Sequence, residues 1–345
     1  MSSLFIPTYF IYTNKYMNKQ YDFVAIGDVV VDAFIRLQDA HVTCTLDNTK
    51  CELCMKYGSK VPFEYAKVLA GVGNSANAAV SASRLGLSAA LVAPTGDDLN
   101  GQLCIDTLAK DNVGTEYINK QSLPTNYHYV LWYGDERTIL IKHEKYAYKM
   151  VDVGTPKYIY LSSLGEDASH LHGEIVEYLK AHPESKLAFQ PGTFQIKMGT
   201  EALRDLYTHT DTFICNLEEA QEITKLATRE VRELAQAIMG LGPKVVLITD
   251  GHNGAYSFDG TEVVFMPPYP DPAAPLERTG AGDAFASTFV TFLALGMNPE
   301  EALRRAPINS MSVVQHIGAQ EGLLTREKLE EYLQNAPVDY IAKKM

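Results

Sequence analysis

The run Glu277-Arg278-Thr279-Gly280-Ala281-Gly282-Asp283-Ala284-Phe285 stands between two segments of opposite character. Upstream, the prolines from Pro267 to Pro275 rule out a helix. Downstream, Ala284 to Leu295 is small and apolar with no breaker, and reads as a buried helix. Gly280-Ala281-Gly282 therefore lies at a helix N-terminus. Small residues there leave backbone N–H groups bare, where an anion can meet them. Asp283 falls in the first turn, a place the helix dipole alone would favour for an acid. A single Gly-Ala-Gly-Asp is a weak signal, so its weight depends on the rest of the chain.

Bulk properties narrow the field. A chain of 345 residues can hold one large domain or two smaller ones, and 46% hydrophobic residues are ample for a core. The net charge of -12 argues against nucleic acid as a partner. It leaves ATP open, because a nucleotide needs only local donors. No apolar run approaches the length of a membrane span, so no membrane partner is expected. Five cysteines, an odd number without framework spacing, suggest a reducing cytoplasm. Residues 1–20 read as a disordered extension. The apolar run Leu4 to Tyr12 is broken by Pro7 and has neither a basic start nor a cleavage site, so it fails as a signal peptide. Translation from Met1 and from Met17 both stay open.

Working back from the opening run, the chain alternates strands and helices. Phe23 to Gly27 is a short apolar strand, followed by an extended stretch in which Asp32 is an acid among apolar neighbours. Such an acid either caps a turn or has a ligand, since an unpaired buried carboxylate is costly. Ala70 to Gly86 is a glycine-led, alanine-rich helix able to pack closely on a sheet. A dinucleotide fingerprint fails here, because Ala76 stands at the third glycine. Leu87 to Ala93 is a strand, and Gly96 to Gly101 leads a helix to Lys110. Tyr127–Tyr133 and Arg137–Lys142 form a hairpin around Gly134-Asp135-Glu136, and with 33–40 and 60–65 they suit a separate small sheet. From Tyr158 onward the pattern is regular: strands at Tyr158–Leu161, Lys186–Phe189, Thr212–Cys215 and Val245–Thr249, with helices at Ala168–Ala181 and Thr200–Tyr207. That alternation implies a parallel sheet covered on both faces, with ligands beyond the carboxyl ends of its strands. His41-x-x-Cys44 and Cys51-x-x-Cys54 have ligand types that suit tetrahedral zinc. The six-residue spacer Thr45 to Lys50 favours a plain hairpin, and zinc is not expected.

Thr279-Gly280-Ala281-Gly282-Asp283 resembles the D-T-x-G-A-G-D signature of the ribokinase (PfkB) carbohydrate kinases, with Glu277 and Arg278 where Asp-Thr is commoner. Further segments resemble that family in order over residues 22 to 335. The resemblance implies that Asp283 is the base, and that the Gly280, Ala281 and Gly282 amides form an anion hole for the transferred phosphoryl group. It implies that Asp32, Gly73 and Asn77 bind the substrate. Thr249, Gly251 and Gly254, matching T-x-G-x-x-G, would contact nucleotide phosphates, and Asn309 would border adenine. Asn216 and Glu219, matching N-x-x-E, would act on magnesium through water, although the same pair also reads as an ordinary helix cap. The implied fold is a ribokinase-like three-layer α/β/α sandwich with a mostly parallel sheet. It covers residues 21–345 and has a small β-sheet lid from about 33–66 and 115–150. ATP and Mg2+ are the implied cofactors, with a monovalent cation and a homodimer through the lid left open.

Three common enzyme classes lack their signatures. There is no G-x-x-x-x-G-K-[ST], and neither H-E-x-x-H nor G-x-S-x-G occurs. The expected activity is ATP-dependent phosphorylation of a hydroxyl on a sugar or sugar-like molecule. A nucleoside kinase and a non-catalytic sensor of the same fold are the alternatives, and an intact Asp283 argues against the sensor.

Overall fold

Phe23, Val24, Ala25 and Ile26 are all buried, as a strand covered on both faces requires. Phe23 and Ala25 enter one hydrophobic core, while Val24 and Ile26 enter the other. This strand lies inside a ten-stranded sheet in a computed structural model that describes residues 19–45, 51–134 and 136–345. Most of the expected N-terminal extension, the tip residue Asp135 and most of the spacer between the cysteine pairs lie outside the described residues. The sheet runs parallel from Ile118–Gln121 at one edge through Ala89–Gly96, Phe23–Ile26, Tyr158–Leu161, Lys186–Phe189 and Thr210–Asn216 to Val245–Thr249. Ala255–Phe258, Val263–Met266 and the two-residue Lys343–Lys344 then add antiparallel strands at the other edge. This is the three-layer α/β/α architecture with a mostly parallel sheet that the alternation predicts.

Helices fill both faces. Asn74–Arg84, Ala281–Ala294 and Pro299–Val313 supply one core, and Ser169–Ala181, Leu217–Thr224 and Val231–Met239 supply the other. Ala76, Ala79 and Ala286 are fully buried, and such small residues let the first two helices approach closely. No helix among the described residues is long and apolar enough to cross a membrane.

A four-stranded sheet stands apart, in the order Phe63–Val72, Val30–Leu37, Tyr127–Tyr133 and Glu136–Leu140. Its register sets two rows on opposite faces. Leu69, Asp32 and His128 form one row, while Val68, Ala33, Tyr129 and Leu140 form the other. The central strand begins at Val30, three residues before the expected 33.

Two readings need correction. The expected helix over Thr200–Tyr207 is instead two short ones, Thr193–Met198 and Arg204–Thr208. Gly199, at φ 84°, ends the first of them in a conformation that favours glycine. The possible zinc set is not assembled either. His41–Cys44 and Cys51–Cys54 form a two-stranded hairpin that places His41 opposite Cys54 and Cys44 opposite Cys51. Cys44 and Cys51 are joined as a disulfide, which removes two of the four thiolate and imidazole ligands the set would need. Among the described residues no three His, Cys, Asp or Glu gather to hold a metal. The disulfide also departs from the reading of five unframed thiols, because the pairing depends on hairpin register rather than on spacing.

Candidate active site

The parallel strands deliver polar residues at their carboxyl ends. Asp28 follows Phe23–Ile26, Gln190 follows Lys186–Phe189, and Asn216 and Thr249 end their own strands. All four line one cavity of about 440 Å³, the position where such sheets bind ligands. The four-stranded sheet faces the same cavity with Asp32, His128, Arg137 and Ile139.

Gly280 caps the N-terminus of Ala281–Ala294 at φ 81°, and a Cβ there would collide with Ala319. Only glycine fits so tight an entry. Asp283 sits in the first turn and is buried. Its Oδ1 accepts from Asn74 Nδ2 and its Oδ2 from Asn77 Nδ2, each at 2.8 Å. Gln320 Nε2 then donates to Asn77 Oδ1 at 3.0 Å and to the Gly71 carbonyl at 2.8 Å, which fixes the amide orientation of Asn77. Burial pushes the Asp283 carboxyl above the ordinary aspartate value, while hydrogen bonds from Asn77, Asn74 and Gln190 pull it back without cancelling the rise. A carboxylate raised in this way is a better proton acceptor than a free one.

Asp32, Gly73 and Asn77 line this cavity together with Asp283, Gly280 and Gly282. Each acid on the far side has a histidine beside it. His128 Nδ1 lies 3.3 Å from Asp32 Oδ1, and His143 Nδ1 lies 3.1 Å from Asp28 Oδ2. The two imidazoles are 5.3 Å apart. Tyr148 donates its hydroxyl to Asp28 Oδ1. Sequence reasoning missed Asp28, Asn74, His128, Arg137, His143 and Gln190. Asn74 could have been found, since it adjoins Gly73. The others become neighbours only through sheet register and loop return.

Asn216 and Glu219 cap Leu217–Thr224 reciprocally. Asn216 N–H donates to Glu219 Oε2 at 2.9 Å, and Glu219 N–H donates to Asn216 Oδ1 at 2.7 Å. Both residues also line the cavity, and burial raises the Glu219 carboxyl. The capping reading and the cavity placement therefore hold together.

A second cavity, of about 370 Å³, lies behind the glycine cap. It is lined by Thr249, Gly251, Gly254, Ala281 and Gly282. Asn309 does not reach it. The Asn309 side chain is fully buried, donates to Thr288 Oγ1 at 2.8 Å and accepts from Leu324 N–H at 2.9 Å. Pro307, Ser310 and Met311 of the same helix line the cavity instead. Asn309 is thus corrected from a nucleotide contact to a packing residue.

Glu277 is also buried, and its carboxylate accepts from Thr279 N–H and Gly318 N–H, both at 2.7 Å. It ties the glycine cap to the segment after Pro299–Val313. Glu277→Ala leaves one buried donor, Gly318 N–H, and one half-buried donor, Thr279 N–H, without an acceptor. We expect a loss of about 1–3 kcal/mol in unfolding free energy, read by denaturant titration. An unchanged midpoint and slope would refute this role.

With this geometry in place, comparison with known proteins identifies the family. The model for pfkB family carbohydrate kinases matches residues 43–326. The ribokinase of Bacillus subtilis is 28% identical over 275 residues, covering 76% of this chain and 87% of that protein. Among solved structures, Arabidopsis thaliana ribokinase complexed with ribose and ATP matches with a TM-score of 0.76 at 20% identity, covering 92% of this chain and 99% of that one. A nucleoside kinase from Methanocaldococcus jannaschii matches with a TM-score of 0.74 at 16% identity, over 92% and 99% of the two chains. These structural likenesses show the fold, and the match of the family model over most of the sequence shows more: the chain belongs to the pfkB family of carbohydrate kinases.

Proposed function

We propose that the protein transfers the γ-phosphoryl group of ATP to a hydroxyl of a sugar or sugar-like molecule bound in the first cavity. The observation that carries this reading is Asp283, buried between Asn74 and Asn77 in the first turn of the glycine-capped helix. Asp283 takes the acceptor proton, and the Gly280, Ala281 and Gly282 amides meet the charge on the transferred group. Asp32, Gly73 and Asn77 hold the acceptor, while Thr249, Gly251 and Gly254 hold the nucleotide phosphates. The small sheet acts as the lid and keeps water from the transfer.

Asn216 and Glu219 fit a hydrated magnesium ion. They are oxygen donors, and the Glu219 carboxylate carries a burial cost that a cation would relieve. Bound there, the ion would neutralise phosphate charge. We place the reaction in the cytoplasm, where ATP is made. The Cys44–Cys51 disulfide is the one feature that argues for a more oxidising setting.

A coupled ADP-release assay across sugars, sugar acids, sugar phosphates and nucleosides tests the reading and names the acceptor. Asp283→Asn should cost about 10²–10⁴-fold in kcat while ADP still binds. A variant within a few-fold of the parent would remove Asp283 from the chemistry.

The pH profile gives a second test. The raised Asp283 carboxyl is protonated, and idle as a base, up to a higher pH than an ordinary aspartate. The acid limb of kcat/KM should therefore lie above the ordinary aspartate value of about 3.9. Asn74→Ala removes a donor that favours the charged form, so the limb should move to higher pH. A shift to lower pH would contradict the assignment.

We also propose a homodimer through the lid. It rests on the outward row in which Val68, Tyr129 and Leu140 are 54%, 48% and 51% exposed. Light scattering should give twice the chain mass, and Tyr129→Lys should halve it. A monomeric parent would end the idea.

A further inference from the structure

Thr249, Gly282 and Arg278 are the three residues that line both cavities. The first two have little to offer a passing charge beyond a hydroxyl and an amide. Arg278 brings a permanent cation to the junction, two residues before Gly280. The motif this run resembles commonly has a neutral threonine there. The backbone under Arg278 is fixed, because Glu277 on one side is clamped to the Thr279 and Gly318 amides.

A purely structural role does not explain the residue. Its nearest ion-pair partner is Glu136, at the tip of the lid hairpin, with Nε 4.0 Å from Oε1. The two side chains are 44% and 66% exposed. An exposed ion pair of that kind adds little to the stability of a fold. Glu136 also lies 3.6 Å from Arg137 Nη1, so one lid carboxylate faces two guanidinium groups. Arg137 lines the first cavity, and its Nε is buried without a hydrogen-bond partner. Asp271, on the wall of the second cavity, is another acid that feels the Arg278 charge.

We propose that Arg278 is a further catalytic residue, which grips the phosphoryl group as it crosses from the second cavity to the first, with Glu136 of the lid positioning it. This rests on the kinase reading above. In the transfer, the acceptor oxygen bonds to the γ-phosphorus and its proton passes to Asp283. The bond from the γ-phosphorus to the β–γ bridging oxygen breaks, and its electron pair leaves with ADP. Negative charge is in motion between the two cavities during this step, and Arg278 is the side chain there that can follow it. A planar guanidinium presents two N–H groups in a fixed fork to two of the equatorial oxygens, where an ammonium is a point charge with no such fork. In this structure the lid hairpin holds Glu136 4.0 Å from the guanidinium, which couples a shut site to an aimed cation.

The test compares parent, Arg278→Ala, Arg278→Lys and Glu136→Gln, using the best acceptor from the assay panel. Arg278→Ala should lower kcat by about 10²–10³-fold with acceptor KM within a few-fold. Calorimetry should show unchanged ADP affinity but at least tenfold weaker binding of ADP with fluoroaluminate, a mimic of the phosphoryl group in flight. Arg278→Lys should recover only part of the loss. Glu136→Gln should lower kcat several-fold in the parent and have no effect in the Arg278→Ala background. The proposal is overturned if Arg278→Ala keeps kcat within threefold. It is equally overturned if ADP alone weakens as much as the fluoroaluminate complex, or if acceptor KM takes the whole effect. A parent that phosphorylates nothing in the panel would instead sink the kinase reading itself. Arg278→Gln, equal in length and uncharged, repeats the measurement should the alanine variant fold poorly.

Discussion

One hydrogen-bonded carboxylate ties the molecule together. Asp283 begins the helix Ala281–Ala294, and the two amides that hold it begin the helix Asn74–Arg84, some two hundred residues earlier in the chain. Neither helix could place that acid alone. Its burial is costly, and the cost is offset by donors that must themselves be held. Asn77 is held by Gln320, which lies beyond the helix Pro299–Val313. The carboxylate is therefore only as well placed as three distant segments allow. The alanines between the two helices matter for the same reason, since bulkier side chains there would separate the donors from the acid.

What was legible in the sequence was local. Gly280 to Asp283 could be read because the glycines, the helix start and the acid are consecutive. Asn216 and Glu219 could be read because a capping pair is three residues apart. Thr249, Gly251 and Gly254 share one turn. The alternation of strands and helices made the parallel sheet readable, and the sheet in turn located the site. Asp28 and Gln190 each follow a legible strand, but which strand ends meet at the cavity depends on sheet order, and His128 and His143 stayed hidden because nothing near them in the chain marks them. They meet across strands whose register no short window reveals. Asn309 shows the opposite failure. Its helix lines the second cavity, but a helix turns by about 100° per residue. Ser310 faces the cavity, while Asn309 faces the core.

The departures from the expected motif have physical accounts of different kinds. Glu277 keeps a carboxylate in place but spends both oxygens on backbone amides, so it acts as a brace for the glycine cap. Arg278 replaces a small neutral side chain with a long charged one and faces the two cavities rather than the core. The cysteine hairpin is a third departure. It extends from the strand that carries Asp32 and is closed by its own covalent bond, so its shape is less dependent on packing against the rest of the lid.

The far edge of the large sheet ends in Lys343–Lys344, a strand of only two residues paired to Val263–Met266. A parallel sheet extended by a hairpin would otherwise present an open ladder of backbone donors and acceptors to any passing chain. Two adjacent lysines close that ladder with the shortest possible strand and the wrong charge for self-pairing. A short, charged edge of this kind disfavours edge-to-edge pairing of the sheet. Both side chains are exposed, so the charge stands in solvent at the edge, well away from the strand ends that line the cavity.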